Sequence, residues 1–160
     1  MGNGLSIRLR KAGPRDMKFL WRLRNQKEVV KQSLSCRKVP LPEHKRWFES
    51  RVNDFHTDLF LVLLGKNEIG QVRFDVKKGH SIANISISNK FSGNGYGAKS
   101  LKLATAKHLK SGKTKKIVAF IKKDNQPSVA CFEEAGYKHV GKKNHKGILC
   151  FKLIRVKNNG

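Results

Sequence analysis

Acidic side chains are scarce: Asp and Glu number 11 against 35 Lys and Arg, a net charge of +24. A chain so basic concentrates anions through its long-range field, which makes polyphosphates, nucleic acids and acidic sugars the natural partner classes. Beyond residue 80 only Asp124, Glu133 and Glu134 are acidic, so the excess runs through both halves. Cysteine is also scarce. Cys36, Cys131 and Cys150 are odd in number and form no C-x-x-C pair, which argues against a disulfide framework and a zinc site and fits a reducing cytoplasm. No apolar run approaches the ~20 residues of a membrane-spanning helix, so no membrane partner is expected. With four prolines, no low-complexity tract and no repeat, the 160 residues read as one domain over 5–156.

Apolar periodicity divides that domain. Leu5, Ile7 and Leu9 alternate with polar residues as a strand with one wet face. Pro14 opens a helix whose stripe of Met17, Leu20 and Trp21 continues into Arg24, an inward arginine that needs a partner. Pro42 starts a second helix that sets His44, Trp47, Phe48 and Arg51 on one face. The period then becomes two. Leu59–Leu64, a turn at Gly65–Glu68 and Ile69–Val76 make a hairpin, and Ile82, Ile85 and Ile87 a third strand. A helix from Gly97 carries Ala98, Leu101, Thr105, His108 and Leu109; a strand at Ile117–Ile121, a short helix with Val129 and Phe132, and strands at Tyr137–Val140 and Ile148–Val156 around an Asn144–Gly147 turn complete the chain. The order is β-α-α-β-β-β-α-β-α-β-β.

The most informative segment is Ser88-Asn89-Lys90-Phe91-Ser92-Gly93-Asn94-Gly95-Tyr96-Gly97-Ala98, which runs from a strand directly into a helix. Glycines there remove Cβ atoms from the path of a bulky anion, and helix-start N–H groups attract it, so the turn suits a pyrophosphate. Its G-x-G-x-G spacing is neither the dinucleotide fingerprint nor a P-loop. A turn that binds nothing is the alternative on these residues alone.

The turn resembles the R/Q-x-x-G-x-G/A motif of the GNAT acetyltransferases, and Asn125-x-x-Ser128-x-x-x-Phe132-Glu133-x-x-Gly136-Tyr137 is similar to that family's second block. The resemblance implies an α/β (α+β type) GNAT fold, a mixed sheet of six to seven strands with about four helices, and an N-acetyltransferase that passes the acetyl group of acetyl-CoA directly to a primary amine, with no acyl-enzyme and no metal. It places Ile87, Ser88, Ser92, Gly93, Asn94, Gly95, Tyr96, Gly97, Ala98, Asn125 and Phe132 on the acetyl-CoA side, with Asn125 at the pantetheine arm and the backbone N–H near Ile87 at the thioester carbonyl. Two positions depart from the family: Ser92 stands where Arg or Gln is usual, and Phe132 where many members have a thiolate-protonating tyrosine. Ser128, one turn earlier, is then the candidate thiolate donor, with helix capping as its other reading.

Trp21-Arg22-Leu23-Arg24-Asn25, Glu43-His44-x-x-Trp47-Phe48 and Gly70-Gln71-Val72-Arg73-Phe74-Asp75 resemble a bacterial subgroup that acetylates nucleotide-linked amino sugars, as in pseudaminic-acid-type pathways. Protein N-termini, polyamines and antibiotics are the acceptors of other subgroups, and a cationic acceptor fits poorly with +24. A basic nucleic-acid-binding protein on a degenerate GNAT fold is the alternative from another class. For the base that deprotonates the amine, the candidates are His44, whose ordinary pKa lies near neutrality, Asp75 and Glu43. Arg24, Asn25, His44, Trp47 and Arg73 are the candidate acceptor contacts: the arginines as a phosphate clamp or in internal ion pairs, and Trp47 as a stacking surface or as core. Cys131 reads as packing.

Overall fold

The computed structural model describes residues 5–158. Seven strands form one mixed sheet in the order β1-β2-β3-β4-β5-β7-β6: β1 Ile7–Lys11, β2 Thr57–Leu64, β3 Asn67–Lys77, β4 His80–Ile87, β5 Lys116–Lys122, β6 Lys138–His145 and β7 Ile148–Val156. Five α-helices accompany it: α1 Met17–Arg24, α2 Lys27–Gln32, α3 Leu41–Arg51, α4 Tyr96–Lys110 and α5 Gln126–Glu134. The expected GNAT architecture is the observed one, with one helix more than the pattern reveals.

That helix is α2. Its six residues bury none of their side chains fully, so no apolar stripe marks it. Three boundaries also move. Pro14–Asp16 form a 3₁₀ turn rather than the first turn of α1. Leu64 pairs with Asn67, so the hairpin turn is Gly65-Lys66 alone. β6 runs on through Asn144 and His145, which pair with Leu149 and Ile148, past an irregularity between His139 and Gly141 that hides its period.

Alternation along β2 assigns the two faces. Leu59 and Leu61 join Leu20, Leu23, Phe48 and Val52 in a core under α1 and α3, while Val62 and Leu64 join Phe74, Leu101, Ala104 and Phe132 in the core under α4 and α5. β5 is covered on both faces and is correspondingly apolar at Ile117–Ile121. β6 is the outer strand on its side, and Lys138, Lys142 and Lys143 on it are exposed.

The feature that positions the site is where pairing stops. β4 and β5 are parallel and pair only at Ser81–Ile117 and Ile82–Val118, although β4 continues to Ile87 and β5 to Lys122. Beyond those two pairs the strands part, and their facing edges line an opening. Beside it β3 and β4 are drawn close: a Cβ on Gly70 would lie 2.4 Å from the Ser86 carbonyl oxygen and 2.7 Å from Ile87 Cδ1, so only glycine fits opposite Ile87.

Candidate active site

The parted strands open a cleft of about 1340 Å³ that runs from the start of α4 to the faces of α1, α3 and β3. On the α4 side, Gly93 and Gly95 adopt left-handed backbone (φ 79° and 78°), and nothing lies within 4 Å of where a Cβ would stand on either. Gly95 is the α4 N-cap and no side chain caps that end, so the first-turn N–H groups remain open toward an anion. This cradle fits a pyrophosphate. Gly97 has a different reason: a Cβ there would meet Cys131 Sγ at 3.2 Å, so it permits α4 and α5 to touch.

The backbone at Ile87 is oriented by register. Ser88 N donates to Ile69 O at 2.7 Å, which makes Ile87–Gly70 a non-hydrogen-bonded pair of the β3–β4 ladder. Ile87's own N–H therefore turns away from β3, toward the split. Across the cleft α5 begins at Asn125, whose side chain accepts from Ser128 N at 3.3 Å. The capping duty thus belongs to Asn125, and the half-buried Ser128 hydroxyl bonds no group among the described residues. Phe132 is buried edge-on against Tyr137, and Tyr137 is bonded to Thr105 at 2.8 Å with burial pushing its pKa far up. Burial also pushes the Cys131 thiol up to about 11, so it is protonated at neutral pH.

The other half of the cleft is built by α1, α3 and β3. His44 is 4% exposed, with its ring 5.4 Å from Trp47 and 6.4 Å from Phe48. Burial lowers its pKa, the nearby Arg24 charge adds to that, and the Met17 backbone opposes both. The imidazole is therefore neutral at pH 7, and its Nε2 has no hydrogen-bond partner among the described residues. Trp47 lines the cleft with Arg73 over its ring at 5.1 Å. Arg73 Nε donates to Asp75 Oδ2 at 3.0 Å, and Arg51 Nη1 stands 3.5 Å from Asp75 Oδ1. The Oδ1 contact is an ion pair without hydrogen-bond geometry, which leaves that oxygen orphaned as an acceptor. Asp75 is thus a bridge between two arginines, and Glu43, paired with Arg37 at 2.6 Å, is held below the usual carboxylate range. Glu43 held in that form is a weak base for an ammonium proton, and both Asp75 oxygens face guanidinium groups.

Most of the residues read from sequence line this one cleft: Arg24, His44, Trp47, Arg73 and Asp75 on one side; Ile87, Ser92, Gly93, Gly95, Tyr96, Gly97, Ala98, Asn125, Ser128 and Phe132 on the other. Asn25, Ser88 and Asn94 do not. Asn25 Oδ1 accepts from Val39 N at 2.6 Å and its Nδ2 donates to the Val39 and Trp21 carbonyls, so it braces the segment leading into α3. Ser88 Oγ accepts from Gln26 Nε2 at 3.0 Å, and Asn94 closes its own turn onto Phe91 and Ser92. Gln26 escaped the sequence reading: its two amide ends hold Ser88 and Asn89 N, which ties α2 to the turn before α4. Its only sequence signal is a polar residue just beyond α1. Among the described residues no cluster of His, Cys, Asp or Glu is arranged to hold a metal ion.

The acetyltransferase (GNAT) domain profile matches residues 6–138. A comparison with curated proteins returns no match. Among solved structures, AAC(6')-Ib in complex with paromomycin and acetyl-CoA superposes with a TM-score of 0.84 at 16% identity, covering 94% of this chain and 93% of that one. Spermidine N-acetyltransferase from Vibrio cholerae, in complex with CoA and spermine, gives 0.81 at 18% identity over 94% and 95%. The ribosomal-protein acetyltransferase RimL in complex with coenzyme A gives 0.83 at 15% identity over 98% and 96%. At such identities the superpositions speak for the fold, and the domain match, which spans most of the sequence, places this chain in the GNAT acetyltransferase family.

Proposed function

We propose that the protein is an acetyl-CoA-dependent N-acetyltransferase whose acceptor is a primary amine on a nucleotide-linked amino sugar. Acetyl-CoA, when bound, supplies the activated acyl carbon that the amine attacks directly. The observation that carries the reading is a single cleft with an open helix start at one end and a neutral, buried imidazole at the other.

Each side chain then has a defined task. The α4 start, with Gly93 and Gly95, holds the pyrophosphate by backbone N–H groups, without the Arg or Gln whose place Ser92 takes. Ile87 N–H, turned into the split, donates to the thioester carbonyl oxygen. His44 Nε2 takes the proton from the amine, and the Ser128 hydroxyl gives one to the departing sulfur. Trp47 offers a stacking surface to a sugar or base. The Cys131 thiol, kept protonated by burial, is a poor nucleophile for an acyl-enzyme.

The solved relatives also suggest aminoglycosides, polyamines or protein N-termini as acceptors. The cleft favours an anionic acceptor over these cations: Arg24, Arg51, Arg73, Lys77, Lys122 and Lys146 line it against four carboxylates, Glu28, Glu43, Asp75 and Glu134. Calorimetric titration with acetyl-CoA at moderate salt, with ATP as a polyanion control, tests the donor. Saturable binding specific to acetyl-CoA, followed by thiol release with UDP-linked amino sugars, is the expected result; equal affinity for ATP, or turnover of polyamines in preference to amino sugars, overturns the reading.

A further inference from the structure

Among the described residues, the acceptor half of the cleft contains a partly buried arginine that no carboxylate bonds. Arg73 and Arg51 share Asp75, and Arg37 is matched by Glu43. Arg24 has no such partner. Its Nη2 donates to Ser35 Oγ at 3.0 Å, and its Nη1 is buried with no hydrogen bond among the described residues. Burial and the like charges of Arg37 and Arg73 lower its pKa, outweighing the attraction of Glu43, which it does not bond. A buried donor on a charged group left unpaired is costly, and native structures rarely keep one without a use.

The other orphaned polar atoms of this wall are of complementary kind. Gln71 presses its amide N–H onto Asn84 Oδ1 at 2.8 Å, and among the described residues its Oε1, Gln32 Oε1 and His44 Nε2 are buried without a hydrogen-bond partner. All three residues line the same cleft as Arg24. The wall therefore asks a ligand for one anion and for several N–H or O–H donors, which describes a hydroxylated amine bearing an acidic group.

We propose that the acceptor carries, beside its amine, an oxyanion, phosphate or carboxylate, which displaces the Ser35 hydroxyl from Arg24 and is held by both guanidinium nitrogens, while Gln71 Oε1 accepts a hydrogen bond from the same ligand. The proposal rests on the acetyltransferase reading above and names what that site selects. Exchanging a neutral hydroxyl for an anion replaces a weak bond with a forked, charge-assisted pair, a geometry that lysine does not reproduce. A polycationic acceptor leaves Arg24 unpaired and adds repulsion, so the same residue discriminates against it.

Calorimetry on the full chain, with and without saturating acetyl-CoA at fixed ionic strength, compares glucosamine, glucosamine 1-phosphate, muramic acid and spermidine. The phosphate or the carboxylate sugar is expected to bind about 10- to 100-fold tighter than glucosamine, the range of a hydrogen bond to a charged group; which of the two gains identifies the anion. That preference disappears in Arg24→Gln, is partly retained in Arg24→Lys, and is unchanged in Lys110→Gln, which removes one charge from the exposed side of α4. A preference that survives Arg24→Gln, equal binding of charged and neutral sugars, or tighter spermidine overturns the proposal. Failure to bind acetyl-CoA overturns the transferase reading instead, and the arm without acetyl-CoA tells the two apart.

Discussion

His108 Nδ1 lies 2.5 Å from Asp58 Oδ2, and the opposite ring nitrogen lies 2.8 Å from Ser81 Oγ. Lys113 Nζ reaches the other Asp58 oxygen at 2.6 Å, and Phe74 stacks on the imidazole at 4.4 Å. The order Ser–His–Asp is that of a hydrolase triad, but Ser81 and His108 are both 0% exposed, so no substrate meets them. Their place explains them. Ser81 is one of the two β4 residues that pair with β5, so the network ties α4 and β2 to the closed end of the split.

Asp58→Asn and His108→Ala are expected to destabilise the fold by about 3 kcal/mol each, because either change leaves a buried polar partner unanswered. Urea unfolding checks this. A loss below about 1 kcal/mol for both assigns the clamp to packing alone.

Acid should weaken the same clamp. Burial alone would raise the Asp58 pKa, yet the bonds from His108 and Lys113 outweigh it and hold it below the usual value. The stabilisation is therefore complete above the unfolded carboxyl's pKa of about 3.9 and is lost as pH falls through the lower folded value. The gap in stability between wild type and Asp58→Asn is expected to be constant from pH 7 to about 5 and to close below about 4.

The two kinds of glycine at the start of α4 separate by mutation. Gly95→Val forces a β-branched side chain into left-handed backbone, at about 1–2 kcal/mol, and is expected to abolish acetyl-CoA binding in a folded protein. Gly97→Ala is expected to cost stability through Cys131 Sγ, and Cys131→Ala should recover most of that loss in the double variant. Calorimetry and thermal melts read the two effects.

His44→Gln is expected to lower kcat by about 100-fold or more with donor affinity unchanged. In the wild type the acidic limb of kcat/KM should fall below the ordinary imidazole pKa, since the base works while neutral and burial favours that form. Activity is then full at pH 7 and is lost as pH drops through the lowered value. A limb unchanged in His44→Gln moves the base elsewhere.

Ser128→Ala should cost kcat about 100-fold without unfolding α5, because Asn125 supplies the cap. Cys131→Ala should leave turnover intact. Steady-state kinetics with thiol detection decides both.

The donor half was legible because its elements are local: a glycine run and Asn125-x-x-Ser128 lie in continuous sequence at helix starts. The acceptor half was legible in residue type but not in partnership. Asp75 looks like a base along the chain, and only β3's place beside α3 shows it shared by Arg73 and Arg51. Asn25 looks like a ligand contact until the fold brings Val39 beside it. Gln26 and Gln71 act across strands and helices far apart in sequence, and no spacing signals them. The inward Arg24 was visible by period; that its partner is a mere hydroxyl was not.

The outer strand β6 gives part of the charge excess a task unrelated to catalysis. A sheet edge is a template on which another copy of the chain can add a strand, and exposed lysines deter that addition. Lys138, Lys142 and Lys143 stand along this edge, so ammonium groups that count toward the +24 also set like charges against a second copy approaching it.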